Sequence, residues 1–381
     1  MNKKNIIIIF IYTFLNNFLL YRACDVLYYL SKGISNSEYI NYLTVGSIIT
    51  IIFLIPFGIL KDKYNRKYIL ILSNLFLFIS TLFYICADNV YLMGIGILVS
   101  AISNLLSQGI VISLLHSYIS DKNEYSKVYY KWTISYYTGY LISMILGGMV
   151  AKYSLVSMYY LSLIPIFLNF IVLFMLDDKD EKEKEKNKTT FLLKESYNLL
   201  KKSKLLKVIL LLEIIIMPLA EILAESHPEY LANIGASTVL IGIYTAIMCL
   251  FGIVGNKIAS IQKNKIRGFF IFAVLFSISL ILIGVLNNYF AILFIVLFQC
   301  FYSITDNTCN TTVQNECSDS YRQTILAIFT FIISIVKIIV CTITSFVFSK
   351  TGLGTSYIIL GICGVICTLL IILTNYKVLK K

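Results

Sequence analysis

Twelve stretches of this chain are long, apolar and nearly free of charge, and this limits the available folds more than any motif does. They lie near residues 5–31, 39–60, 68–87, 90–117, 128–150 and 155–176, then 206–232, 238–259, 268–286, 289–313, 324–348 and 353–375. About 20 consecutive apolar residues make a helix that crosses the bilayer core. Soluble domains are roughly 45–50% apolar and ~25% charged; this chain of 381 residues is 58% hydrophobic and 14% charged. Twelve spans leave no room for a sizeable soluble domain. The expected fold is an all-α polytopic membrane protein of twelve transmembrane helices.

The polar residues set the organisation. The one long polar segment opens with the alternating run Asp177-Asp178-Lys179-Asp180-Glu181-Lys182. It continues with Phe191, Leu192, Leu193, Leu199 and Leu200 among Lys194, Glu195, Lys201 and Lys202, a pattern suited to a short helix on the membrane surface. The expected division is residues 1–176 as six helices, 177–205 as a linker and 206–381 as six more. With the N-terminus inside, 26 of the 32 Lys and Arg residues fall on the inner side and 3 in outer loops. The positive-inside rule then places both ends and the linker in the cytoplasm of a multi-pass protein of the cell membrane. The net charge of +12 is therefore a topology signal, and no nucleic-acid partner is expected. The first run is too long for a signal peptide and is followed by no small-x-small cleavage site, so its removal is not expected. The nine cysteines show neither Cys-x-x-Cys nor Cys/His metal spacing, so no metal or disulfide framework is implied.

The halves carry traces of duplication. Tyr29-Leu30-Ser31-Lys32-Gly33-Ile34-Ser35 resembles Tyr230-Leu231-Ala232-Asn233-Ile234-Gly235-Ala236-Ser237, and Ser120-Asp121 corresponds to Ser318-Asp319. Between the second and third runs stands Gly58-Ile59-Leu60-Lys61-Asp62-Lys63-Tyr64-Asn65-Arg66-Lys67. It resembles the G-x-L-x-D-[RK]-x-G-R-[RK] loop of the major facilitator superfamily, at the same place in the chain. The resemblance implies two pseudo-symmetric six-helix bundles rocking about a midplane cavity lined by the first, fourth, seventh and tenth spans. In that loop Gly58 would allow close helix approach. Asp62 would face the start of the eleventh span and help hold the outward-open state. Lys63 belongs to the same switch, and Arg66 and Lys67 would pair with carboxylates or lipid phosphate. Asn65 replaces the family's second glycine, a mild change where a left-handed backbone is needed.

Drug antiporters of the superfamily carry G-x-x-x-G-P-x-x-G-G in the fifth span. Here Gly139, Gly147 and Gly148 survive, while Ser143-Met144 stands in place of Gly-Pro. Small residues keep the close packing, but loss of the proline removes a kink and weakens an assignment to drug antiport.

Ionisable residues inside spans cost about 2.5–3.5 kcal/mol each on insertion scales, so they need a reason to be there. Arg22 and Asp25, three apart in the first run, would share a helix face. Glu213, Glu221 and Glu225 fall within one sector of the seventh, and two close carboxylates disfavour double ionisation. Asp306 lies in the tenth run among Thr305, Asn307 and Asn310, and Lys337 lies mid-way along the eleventh, where it would pair with one of these acids. Glu221 is the favoured proton carrier.

The expected function is secondary active transport of a small molecule by alternating access, coupled to protons, with export of an amphipathic or cationic compound as the first choice. Proton-coupled uptake of a metabolite is the alternative. A membrane receptor or scaffold without transport is the alternative of a different class. No Gly-rich phosphate loop, metal constellation or nucleophile motif supports an enzyme, and no cofactor is implied. Substrate, protons and the lipid bilayer are the expected partners of a monomer.

Overall fold

The computed structural model describes residues 3–119, 122–177, 200–262, 265–316 and 319–375. Among these residues the regular structure is helical throughout. In chain order the helices are α1 (Lys3–Asn17), α2 (Asp25–Ser31), α3 (Asn36–Lys63), α4 (Arg66–Cys86), α5 (Val90–Ser107), α6 (Ile110–Tyr118), α7 (Lys122–Ala151) and α8 (Ser157–Phe174). They continue as α9 (Lys204–Asn233), α10 (Thr238–Ile261), α11 (Lys265–Leu286), α12 (Ala291–Glu316), α13 (Asp319–Thr351) and α14 (Leu353–Thr374). Most of the expected linker, with its surface helix, lies outside the described residues.

Ten spans among the described residues are long and apolar enough to cross a membrane. The two expected spans missing from that number are the first and the seventh, each for its own reason. The seventh is the continuous helix α9, whose acids make it too polar to stand out. The first is broken: α1 ends at Asn17, a 3-10 turn covers Leu20–Ala23, and α2 starts at Asp25. Neither proline nor glycine causes the break. Asn17 Nδ2 donates to its own helix at Thr13 O (2.8 Å), a side-chain bond that competes with regular helix. Ser162 Oγ on α8 then accepts from the freed Leu20 N–H at 2.9 Å.

The side chains are sorted as a hydrocarbon solvent demands. On α8, Ile164, Phe167, Ile171 and Phe174 are exposed while Ser162 and Asn169 are buried. All four prolines of the chain lie inside helices, Pro56 in α3, Pro165 in α8, and Pro218 and Pro228 in α9. Membrane helices tolerate them where neighbours satisfy the freed carbonyl. Pro228 leaves Ala224 O without its backbone donor, and His227 Nδ1 lies 2.8 Å from that oxygen as the replacement.

The chain divides into two compact units, Met1–Lys182 with Gly235–Ala246, and Glu183–Ile234 with Ile247–Lys381. In the first, α4 packs on α5, α1 on α7, and α8 on both α1 and α4. Small polar residues let these helices close up: Ser73 Oγ donates to Ser103 O (2.9 Å) and Ser103 Oγ to Ser73 O (2.7 Å). In the second, α11 packs on α12, α9 on α13, and α14 on both α9 and α11. The same pairing scheme thus occurs in each unit. The duplicated sequence has a structural counterpart, because α2 and α9 each end before a glycine of positive φ, Gly33 at 83° and Gly235 at 90°. A serine then caps the next helix: Glu38 N donates to Ser35 Oγ (3.3 Å) and Leu240 N to Ser237 Oγ (3.4 Å).

Candidate functional site

Three helices of the second unit bring ionisable side chains together. Glu213, Met217 and Glu221 follow one another at intervals of four along α9 and share a stripe. Tyr302, Asp306 and Cys309 form the matching stripe on α12. The two stripes meet where the Tyr302 hydroxyl donates to Met217 Sδ at 3.1 Å. Tyr302 lies within the electrostatic reach of Asp306, Glu213 and Glu221 together. From α13, Lys337 Nζ forms an ion pair with Glu221 Oε1, the side chains being 17% and 37% exposed. Lys337 and Glu221 thus neutralise each other in a partly open setting.

Glu213 is placed differently. It is 2% exposed, and its Oε1 is buried without a hydrogen-bond partner. Cys309 and Asp306 are its polar neighbours. Asp306, half-buried, accepts from Asn310 Nδ2 at 3.1 Å. The adjacent Asn307 donates through Nδ2 to Asn256 Oδ1 of α10 at 3.2 Å. Glu213 thus lies within electrostatic reach of Asp306, and no cationic side chain among the described residues pairs with either. Glu225 stands one turn past Glu221 and is half-buried.

The first unit holds Arg22 and Asp25, and the break in the first span changes the expected relation between them. Arg22 belongs to the 3-10 turn and Asp25 to the first turn of α2, with Cys24 between them at φ −145° and ψ 29°. They do not share a helix face. Arg22 Nη1 donates to Asn17 Oδ1 (3.2 Å), and the guanidinium stands 6.0 Å from the centre of the Tyr140 ring on α7. Asp25 Oδ1 accepts from the Val26 N–H at 2.8 Å.

The glycines of α7 lie at close contacts between main chains. A Cβ at Gly139 would strike Phe14 O and one at Gly147 would strike Leu20 O, so these two positions press α7 onto the first span. Between them Ser143 Oγ donates to Asn17 O at 3.2 Å. At Gly148 a Cβ would lie 2.6 Å from Thr238 O and 3.0 Å from Gly242 Cα, on α10.

The loop after α3 corrects several expectations. No described atom lies within 4 Å of a Cβ built at Gly58, so the anticipated close approach is not found there. Asn65 has φ −61° and ψ 131°, far from the left-handed region, and is the N-cap of α4, its side chain accepting from Lys67 N. Arg66 Nη1 donates to Ser113 O (3.3 Å) and Ser117 Oγ (3.2 Å) rather than to a carboxylate. Lys67 Nζ donates to Phe174 O (2.8 Å) and Leu176 O (2.7 Å), so its cation caps the negative end of α8. Asp62 and Lys63 lie in the last turn of α3, and their side chains fall outside the described residues.

Tyr302, Met217, Asn256, Asn17 and Tyr140 are partners that the sequence did not single out. The available signal was periodic: Tyr302 stands four residues before Asp306, and Met217 midway between two acids.

Residues 6–340 match the profile of the Major Facilitator Superfamily. An uncharacterized transporter of Buchnera aphidicola subsp. Schizaphis graminum (strain Sg) is 26% identical over 162 residues, which is 42% of this chain but only 40% of that protein. A second uncharacterized transporter, from Buchnera aphidicola subsp. Acyrthosiphon pisum (strain APS), is 22% identical over 77% of each chain. Among solved structures, the nucleoside transporter NupG aligns with a TM-score of 0.80 at 12% identity, over 97% of this chain and 99% of its own. A D-xylose–proton symporter aligns with a TM-score of 0.77 at 15% identity, over 97% and 96%. At these identities the likeness is one of fold.

Proposed function

Because the chain belongs to the major facilitator superfamily, a family of transporters rather than enzymes, we propose that it moves a small molecule across the cell membrane by alternating access, exporting an amphipathic compound against protons. In this reading residues 1–176 and 206–381 act as the two rocking halves, with both chain ends in the cytoplasm. The observation that supports proton coupling most is the buried carboxyl of Glu213 within electrostatic reach of Asp306. Two nearby carboxylates without a cation disfavour double ionisation. In this reading Glu213 carries the transported proton, and a change of surroundings such as alternating access supplies releases it.

Glu221, the carrier favoured from sequence, takes a different part. It forms an ion pair with Lys337, and the pair can open and close as the unit changes shape. Tyr302 stands between the ion pair and the proton-holding pair, so a change at one is felt at the other. The acids of this unit favour a cationic group on the cargo.

The test is flux in inverted vesicles against a panel of amphipathic amines. Gradient-driven accumulation under an inside-acid gradient is expected for the wild-type protein, which also separates export from uptake. Glu213→Gln and Asp306→Asn should lose that accumulation by at least about tenfold while retaining exchange of labelled for unlabelled cargo, since exchange needs no net proton movement. Undiminished gradient-driven accumulation in Glu213→Gln would rule out this carrier.

A further inference from the structure

Arg22 occupies an unusual position. It is half-buried in the turn between α1 and α2, and α2 runs on to Ser31 before the chain turns. At 1.5 Å per residue those positions place Arg22 about 13 Å below the end of α2, farther than the side chain can snorkel to a headgroup. A guanidinium offers five N–H donors. Here one nitrogen is held by Asn17 Oδ1, the neighbouring Tyr21 side chain also hydrogen-bonds the group, and it rests near the Tyr140 ring. No carboxylate of the described residues lies within ion-pairing distance of it.

The polar groups around it are matched. Ser135 Oγ donates to Phe10 O (2.7 Å), Trp132 Nε1 to Thr13 Oγ1 (2.8 Å) and Asn17 Nδ2 to Thr13 O (2.8 Å). Ser143 and Ser162 take up the main chain on either side of the break. The seam between the first span and α7 is thus held by paired groups, and Arg22 brings to it more N–H donors than Asn17 and Tyr21 take up. A charge at this depth is expected to meet water or a counter-ion rather than lipid.

We propose that Arg22 binds a carboxylate of the transported molecule. A planar guanidinium matches a carboxylate through two parallel bonds. Asn17, Tyr21 and Tyr140 hold the plane, leaving the other N–H groups for the ligand. A single cation suits a singly charged carboxylate better than a doubly charged phosphate. The cargo is then amphipathic with an anionic end. Only the word cargo rests on the transport reading; the binding itself does not.

The probe is benzoate, with benzamide as the neutral control, on the purified full-length protein in detergent, read as the shift in unfolding temperature against concentration. A parallel arm replaces benzoate with phosphatidylglycerol, to separate a free carboxylate from a lipid headgroup. Benzoate should stabilise the wild-type protein and benzamide should not. Arg22→Gln should need about ten- to a hundredfold more benzoate for the same shift, and Arg22→Lys should fall between the two. Should Arg22→Gln fail to fold, Asn17→Asp decides: it supplies an internal carboxylate and should abolish the benzoate response with Arg22 intact. Equal benzoate affinity in these variants, an equal response to benzamide, no benzoate response in the wild-type protein, or a response to phosphatidylglycerol alone would each overturn the proposal. Arg22-dependent binding without flux of any compound would instead count against transport. Unchanged benzoate affinity together with intact flux would count against Arg22.

Discussion

At Gly147 an added methyl group would meet the carbonyl of Leu20 and approach Ala23 Cβ to 2.9 Å, and neither can yield without moving a helix. Gly147→Ala is therefore expected to lower stability by about 1–3 kcal/mol. Gly58 is the contrast, because no described atom stands within 4 Å of its Cβ position. There Gly→Ala should be neutral or raise stability by up to ~1 kcal/mol through helix propensity. Thermal unfolding of both variants checks this, and equal losses would contradict it. The Lys337–Glu221 pair lends itself to a double-mutant cycle. Lys337→Met alone leaves a carboxylate without its counter-ion, so it should destabilise more than Lys337→Met combined with Glu221→Gln. A double variant less stable than the single one would show that the two side chains do not depend on each other.

The helices show where charge patterns inform and where they mislead. The apolar runs were legible because lipid-facing helices have little use for charge, and the acids of α9 stood out for the same reason. The break after Asn17 was hidden, since it comes from a side-chain amide and a distant serine rather than from proline or glycine. Asn65 was misread because asparagine suits both a left-handed turn and an N-cap, and only the main-chain angles distinguish them. Tyr302 and Met217 escaped notice because they carry no charge in an apolar run. Within α9, Pro228 and His227 act as a unit around Ala224 O. His227→Ala should destabilise by about 1–3 kcal/mol by leaving that carbonyl bare. The loss should shrink in a Pro228→Ala background, where the backbone N–H returns. Equal losses in the two backgrounds would show that His227 does not serve the carbonyl.

Across the whole chain, duplication goes further than the short match around Tyr29 and Tyr230 revealed. In the first unit the Tyr28 hydroxyl donates to Tyr84 O near the end of α4 (2.8 Å), and its ring lies 4.7 Å from that of Tyr159. In the second, Tyr230 donates to Ile283 O near the end of α11 (2.7 Å), with its ring 5.6 Å from that of Tyr357. The sequence match contained Tyr230 but began one residue after Tyr28, and the carbonyl partners came from packing, which no local pattern records. Tyr28→Phe and Tyr230→Phe should each destabilise by about 1 kcal/mol. The two bonds share no partner, so the losses should add in the double variant. Strong non-additivity in chemical denaturation would show that the two locks are not independent.

Where Gly148 meets Gly242, two main chains touch with nothing between them. Such a junction cannot be retuned by degrees, as a side-chain contact can, because the smallest available change already adds a carbon to a gap that has no space for one. A library randomised at both positions and selected for folded protein should therefore return glycine at nearly every draw, with alanine admitted at one of the two at most.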